Sequence, residues 1–483
     1  MTVRVRFAPS PTGHLHIGSV RTALFNYLFA RRHGGQFILR IEDTDLNRNV
    51  EGAELQFLDG FQWLGITWDE GPDVGGPHAP YRCTDRLALY RKYLDQLMQA
   101  GQAYPCFCTD EELAAEREQA EQEGRVPRYS GKCRHLSESE CKARIDASEP
   151  YSIRFAVPAM QEIHIEDVIR GQVSFQTDDI GDFVIVKSNG IPTYNFQVVV
   201  DDAAMDITHV IRGEEHLSNT PRQVLLYQAL GFDLPAFAHL PQVLDQSRKK
   251  LSKRDPNVLP IQQYRALGFV PQAMINFLAL LGWSPAGEEE LFAMDELIAQ
   301  FDLARVSKSG AVFDVDKLSW MANQYFKSLP LETATSLVQQ QVDNANWQQP
   351  AGVPDRWLGE VVSLYQEQMV CASDFLRLAP DFFKAEISYE ADAKELLATA
   401  EARVVVEAYL AAAKKDEAWT ADASKARFKE IGKAQGVKGK GLFMPVRAAV
   451  TGQLHGRDLQ MTIALLPRQW VISRLETALT QPS

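Results

Sequence analysis

The chain opens on alternating polarity. Val3-Arg-Val-Arg-Phe7 places apolar residues at every second position, the pattern of a short strand. Pro9, Pro11 and Gly13 then force a loop. From Ile17 the spacing changes: Ile17, Val20, Leu24, Tyr27 and Leu28 fall on one face of a helix, which Gly34-Gly35 ends. Phe37-Ile-Leu-Arg-Ile41 is the next strand. Strand, helix and strand in this order form a βαβ unit and predict a parallel, doubly wound α/β sheet.

Further along the pattern becomes mixed. Tyr151-Ser-Ile-Arg-Phe155 and Asp182-Phe-Val-Ile-Val186 read as short strands among charged residues and cysteines, so 102–190 is an α+β insertion. Phe196-Gln-Val-Val-Val200 and Ile207-Thr-His-Val-Ile211 read as buried strands that complete the sheet. Beyond Lys250 the periodicity is helical to the end, as in Trp357–Tyr365 and Leu396–Leu410. The predicted divisions are therefore 1–101, 102–190, 191–249, 250–327 and 328–483, the last as two subdomains.

Composition narrows this little. With 45% hydrophobic and 23% charged residues among 483, the chain has the makings of several ordinary globular domains. The apolar run Asn276–Trp283 is too short to span a bilayer, and nothing at the start resembles a signal peptide, so a cytoplasmic protein is expected. The net charge of −13 argues against a nucleic-acid partner, but its distribution argues the other way. The window Asp422–Arg457 carries Lys425, Arg427, Lys429, Lys433, Lys438, Lys440, Arg447 and Arg457 against Asp422 and Glu430, either an RNA footprint or a solvated helix surface.

Two loops carry candidate chemistry. Pro9-Ser-Pro-Thr-Gly-His-Leu-His-Ile-Gly-Ser19 lies between the first strand and its helix, where free N–H groups and the helix dipole attract anions. Within it His14 and His16 can donate to phosphate oxygens, and Gly18 permits close backbone approach. Lys249-Lys-Leu-Ser-Lys-Arg254 gathers four cations and a serine, a set suited to a transferring triphosphate.

Together the two loops resemble class I aminoacyl-tRNA synthetases. His16-Ile-Gly-Ser19 is similar to their HIGH signature, with Ser19 in place of the second histidine, and Lys250-Leu-Ser-Lys-Arg254 to their KMSKS signature. Arg6–Gly13, Arg40–Asp45, Gly71–Pro77, Pro192–Tyr194, Val199–Asp202, Ile211–Glu215, Phe313–Leu318 and Pro445–Gly452 extend the likeness, specifically to glutamyl-tRNA synthetases, almost to the C-terminus. The resemblance implies a doubly wound Rossmann-type catalytic domain with an acceptor-binding α+β insertion, then an all-helical anticodon-binding half. It implies L-glutamate, ATP with Mg²⁺ and tRNA(Glu) as substrates and cofactor, in a cytoplasmic monomer. His16 and Lys253 become the catalytic pair, within an ATP set of His14, His16, Gly18, Lys250, Ser252, Lys253 and Arg254. Arg6 and Arg212 suit the carboxylates of glutamate, Glu42 its ammonium, and Ala8, Ser10 and Tyr194 complete the pocket.

Cys106-Phe-Cys108 and Cys133-Arg-His135 are separated by 24 residues. Three thiolates and an imidazole suit a closed, structural Zn²⁺ site, with Cys141 an alternative ligand; two incidental cysteine pairs are the other reading. The resemblance favours zinc. Gln368 aligns where some relatives carry an arginine that separates glutamate from glutamine tRNAs, which makes tRNA(Gln) an alternative second acceptor. Two rivals stand beside this reading. A glutaminyl-tRNA synthetase is expected to have β-barrels where this chain is helical. An inactive tRNA-binding paralogue is at odds with intact Arg6, His16, Glu42, Arg212 and Lys253.

Overall fold

A computed structural model describes residues 2–13, 15–251 and 258–480. The chain forms two compact units, Met1–Gln263 with Met274–Val315, and Tyr264–Ala273 with Asp316–Ser483. The expected division 250–327 does not stand apart; most of it packs with the first unit.

The strands, in chain order, are β1 (Arg4–Phe7), β2 (Gln36–Leu39), β3 (Ala103–Cys106), β4 (Ser152–Phe155), β5 (Glu162–Asp167), β6 (Gly171–Gln176), β7 (Phe183–Val186), β8 (His209–Gly213), β9 (Ala236–Leu240), β10 (Val243–Leu244) and β11 (Ala311–Val312). β1 pairs in parallel with β2, and β8 with β9, as the βαβ reading requires. The Thr208 N–H donates to Arg4 O at 2.9 Å and ties the second pair to the first. The helix Ile17–Arg32 connects β1 to β2 and buries Val20, Leu24, Phe25 and Leu28 completely. Each such side chain contributes about 1.5–3 kcal/mol on leaving water. Asn26, fully buried on the same helix, donates to Ile211 O at 3.0 Å and so fixes the helix over β8.

Two expectations are corrected. Phe196–Val200 is not a strand but part of the helix Tyr194–Ala204. Its residues Phe196 to Asp202 are all buried, and a short helix covered on every side has the continuous apolar run of a buried strand. The hairpin of β5 and β6 lies within 102–190, yet it joins the central sheet, in the order β6-β5-β9-β8. The separate antiparallel sheet of the insertion is β3-β4-β7 alone.

The described part of the second unit is helical throughout. Trp357 is buried in it and donates to Leu465 O at 2.6 Å; Trp419 donates to Leu466 O at 2.9 Å. Buried Trp357 therefore offers no face to a base, and half-buried Trp419 has Arg427 over its ring. No described helix is long and apolar enough to cross a membrane.

Candidate active site

The loop after β1 runs directly into the helix Ile17–Arg32, whose N-cap is His16. The cap nitrogen is Nδ1, which accepts from the Ser19 N–H at 3.3 Å. An accepting Nδ1 puts the ring proton on Nε2, which lies 2.9 Å from Ser19 Oγ and donates to it. Ser19 thus holds both ring nitrogens of His16. A Cβ at position 18 would sit 3.4 Å from the imidazole, an ordinary van der Waals contact.

A cavity of about 1060 Å³ opens beside this helix end. Its walls bring together Arg6, Ala8, Ser10, His16, Gly18, Glu42, Tyr194, Arg212 and Lys250. These candidates come from both halves of the sheet. His14, Ser252, Lys253 and Arg254 lie outside the described residues.

Beneath the cavity lies a closed set of buried charges. Arg6 Nε donates to Asp202 Oδ1 at 3.0 Å, and Arg40 Nη1 to the same oxygen at 2.7 Å. Arg40 also meets Glu42 at 3.4 Å and Asp201 at 3.9 Å. Arg86 Nε donates to Asp201 Oδ1 at 2.6 Å. Three guanidinium groups therefore face three carboxylates, the condition under which buried charge is tolerated. Burial works against the Asp202 carboxylate, but Arg6 and Arg40 hold its pKa below the ordinary value. At Glu42 the balance is opposite: burial raises the carboxyl pKa against the pull of Arg40 and Arg6.

Arg212 differs from these three. It is 5% exposed, and its partners are His239 Nε2 at 3.1 Å, Tyr194 Oη at 3.3 Å, Thr220 Oγ1 at 3.0 Å and Gln223 Oε1 at 2.8 Å. All four are neutral acceptors. Among the described residues no carboxylate pairs with this guanidinium, so its charge is open to a ligand in the cavity it lines.

The cysteines form a second centre. The sulfurs of Cys106, Cys108 and Cys133 lie within 4.8 Å of one another, and those of Cys108 and Cys133 are 3.6 Å apart. Ligands on a tetrahedron with Zn–S arms of about 2.3 Å are about 3.8 Å apart, so the thiols fit this ion. His135 is not in the group, nor is Cys141. The group instead adjoins the Tyr129 hydroxyl, 3.5 Å from Cys106 Sγ and 3.6 Å from Cys108 Sγ. Arg154 stacks 3.9 Å above the Tyr129 ring and keeps it there. Sequence spacing passed over Tyr129, because tyrosine is not among the common zinc ligands. It passed over Thr220, Gln223 and His239 because the fold of the helix Thr220–Leu230 back onto β8 brings the first two to Arg212 and strand pairing brings the third.

Gln368 closes a short turn after the helix Trp357–Tyr365 and is exposed.

Residues 2–320 match the family described as tRNA synthetases class I (E and Q), catalytic domain, and residues 324–479 the family described as anticodon binding domain. A glutamate–tRNA ligase of Geobacillus stearothermophilus is 52% identical over 99% of both chains. The glutamate–tRNA ligase of Bacillus subtilis (strain 168) is 48% identical over 98% of this chain and 99% of its own. A crystal structure of a glutamate tRNA ligase from Elizabethkingia meningosepticum, in complex with its amino acid, superposes with a TM-score of 0.92 at 36% identity, covering 100% of both chains.

Proposed function

The chain belongs to the glutamate–tRNA ligases, a family of class I aminoacyl-tRNA synthetases, and we propose that its pocket selects glutamate through the open charge of Arg212. The reaction joins L-glutamate to tRNA(Glu) at the expense of ATP, through a glutamyl-adenylate. The α-carboxylate oxygen attacks the α-phosphorus of ATP and pyrophosphate leaves. The terminal ribose hydroxyl of the tRNA then attacks the acyl carbon and AMP leaves.

Arg212 and Tyr194 receive the side-chain carboxylate, and Arg6 the α-carboxylate. Glu42 takes the ammonium, whose charge holds the Glu42 carboxyl ionised against the burial that raises its pKa. Ser10 and the Ala8 backbone close the pocket. His16, fixed by Ser19, meets the phosphates at the helix end, with Gly18 and Lys250 beside it. His14, Ser252, Lys253 and Arg254 are assigned to the same triphosphate on their motif places alone. Mg²⁺ bound with ATP supplies neutralisation of phosphate charge.

The neutral partner set of Arg212 carries the choice of amino acid. Arg6, Arg40 and Arg86 meet Asp201, Asp202 and Glu42, whereas the direct partners of Arg212 are all neutral. The side-chain carboxylate of glutamate gives Arg212 the charged partner it lacks. Glutamine, neutral overall, leaves a buried guanidinium unpaired, which is costly. ATP–pyrophosphate exchange in the presence of tRNA tests this. We expect exchange with glutamate, and with glutamine a kcat/KM lower by about a thousandfold or more. Equal exchange with the two amino acids would overturn the reading.

For the anticodon unit we propose that exposed Gln368 lets tRNA(Gln) be charged alongside tRNA(Glu). Acylation of purified tRNA(Gln) checks it, and no product would refute it. We further assign a structural Zn²⁺ to Cys106, Cys108 and Cys133, with the Tyr129 hydroxyl as the fourth donor in place of His135. A cytoplasmic monomer suits a chain that carries both catalytic and anticodon units.

A further inference from the structure

Three neighbouring strands place Asp167, His239 and Arg212 in one line. Arg212 on β8 is register-paired with His239 on β9, and Asp167 ends β5, which pairs with β9 through Phe237. Asp167 Oδ2 lies 2.6 Å from His239 Nδ1, and both side chains are 0% exposed. Asp167 Oδ1 accepts from the Arg170 N–H at 2.8 Å and the Ile169 N–H at 3.0 Å. The carboxylate is thus anchored before it meets the imidazole. His239 Nε2 lies 3.1 Å from Arg212 Nε, which can only donate. That fixes the tautomer: Nε2 is bare and accepts, and Nδ1 carries the proton and donates to Asp167.

Arg212 has five N–H donors. Nε is taken by His239, Nη2 by Thr220 and Gln223, and one Nη1 hydrogen by Tyr194. The plane of the guanidinium is therefore set by these four acceptors, and one Nη1 hydrogen remains for a ligand in the cavity that Arg212 lines.

We propose that Asp167 and His239 form a tautomer-setting relay that orients Arg212 for the side-chain carboxylate of the amino acid. They are positioning residues and touch no substrate. This rests on Arg212 being that carboxylate's ligand. Asp167→Asn offers an N–H to His239 Nδ1, which must then accept, so the proton moves to Nε2 and meets the Arg212 Nε–H donor to donor. The same logic governs any catalytic imidazole whose carboxylate partner becomes an amide. In a His239→Gln protein the side-chain oxygen can accept from Arg212 whatever stands at 167.

The test is tRNA-dependent ATP–pyrophosphate exchange on full-length protein, with KM measured separately for glutamate and ATP. Asp167→Asn should raise the glutamate KM about tenfold or more and leave the ATP KM within twofold. His239→Leu should do the same, and His239→Gln should lose less. In the His239→Gln background, Asp167→Asn should have little further effect, a non-additivity that simple loss of packing would not produce. Thermal melts identify variants that fail to fold; for those, the His239→Gln and His239→Leu pair decides. Arg212→Met is the reference arm. If it leaves the glutamate KM unchanged, the ligand role of Arg212 falls. If it destroys activity while Asp167→Asn leaves the glutamate KM unchanged or acts additively with His239→Gln, the relay alone is overturned.

Discussion

The amino-acid pocket and the anticodon unit handle positive charge in opposite ways. In the pocket, Arg6, Arg40 and Arg212 are at most 5% exposed, and each is held by named acceptors. On the helix Ala421–Gln435, Lys425, Lys429 and Lys433 recur every fourth residue and are exposed. The buried cation of that helix, Arg427, meets Asp416 at 2.9 Å and lies over Trp419, so it builds the unit rather than serving a ligand. A small ligand that must be told from its amide is met by charge fixed in low dielectric, where one unpaired group is decisive. We propose that the exposed lysines meet the tRNA backbone, where each charge adds a little and salt screens it.

The largest effect should come from breaking the pocket's charge balance. Asp202→Asn removes the shared partner of Arg6 and Arg40 and should destabilise the first unit by about 3–5 kcal/mol, read as a fall in Tm. Its folded pKa is depressed, so its stabilisation is present above the unfolded carboxylate value and is lost as pH falls through the lower folded value. The variant should therefore show a shallower acid limb of stability than the native chain. An unchanged Tm would mean the arginines are solvated despite their burial.

A smaller, local effect is expected at the cysteines. The native protein should hold about one zinc per chain by metal analysis, Cys133→Ser should lose it, and Cys371→Ser, whose residue lies in the second unit, should keep it. Tyr129→Phe should weaken retention against a chelator more than His135→Ala does, given where the two side chains stand.

The smallest effect should be on the exposed face. Lys429→Gln with Lys433→Gln should weaken tRNA binding a few-fold and lower the slope of log affinity against log salt by about one per lysine. The glutamate KM should not move. A change in it would blur the contrast between the two regions.

Much of this is legible in the amino-acid sequence. The alternation of Val3–Phe7 and the spacing from Ile17 gave β1 and its helix, and the two loop motifs with Arg6, Glu42, Tyr194 and Arg212 named most of one cavity wall. Local pattern failed where burial is complete, as at Phe196–Val200, because a helix covered on all sides loses its periodicity. It failed again where partners are distant in sequence. Asp167 and His239 stand 72 residues apart and meet only through strand order. Metal spacing pointed to His135, whereas the fold turns Tyr129, four residues before Cys133, toward the sulfurs.

On the proposed reading, the open charge of Arg212 makes this a glutamate enzyme. The most direct measurement is kcat/KM of Arg212→Met for glutamate and for glutamine in tRNA-dependent exchange. The value for glutamate should fall by about a hundredfold to a thousandfold while that for glutamine changes little, so that the preference collapses. A variant that keeps the native preference for glutamate would contradict the account.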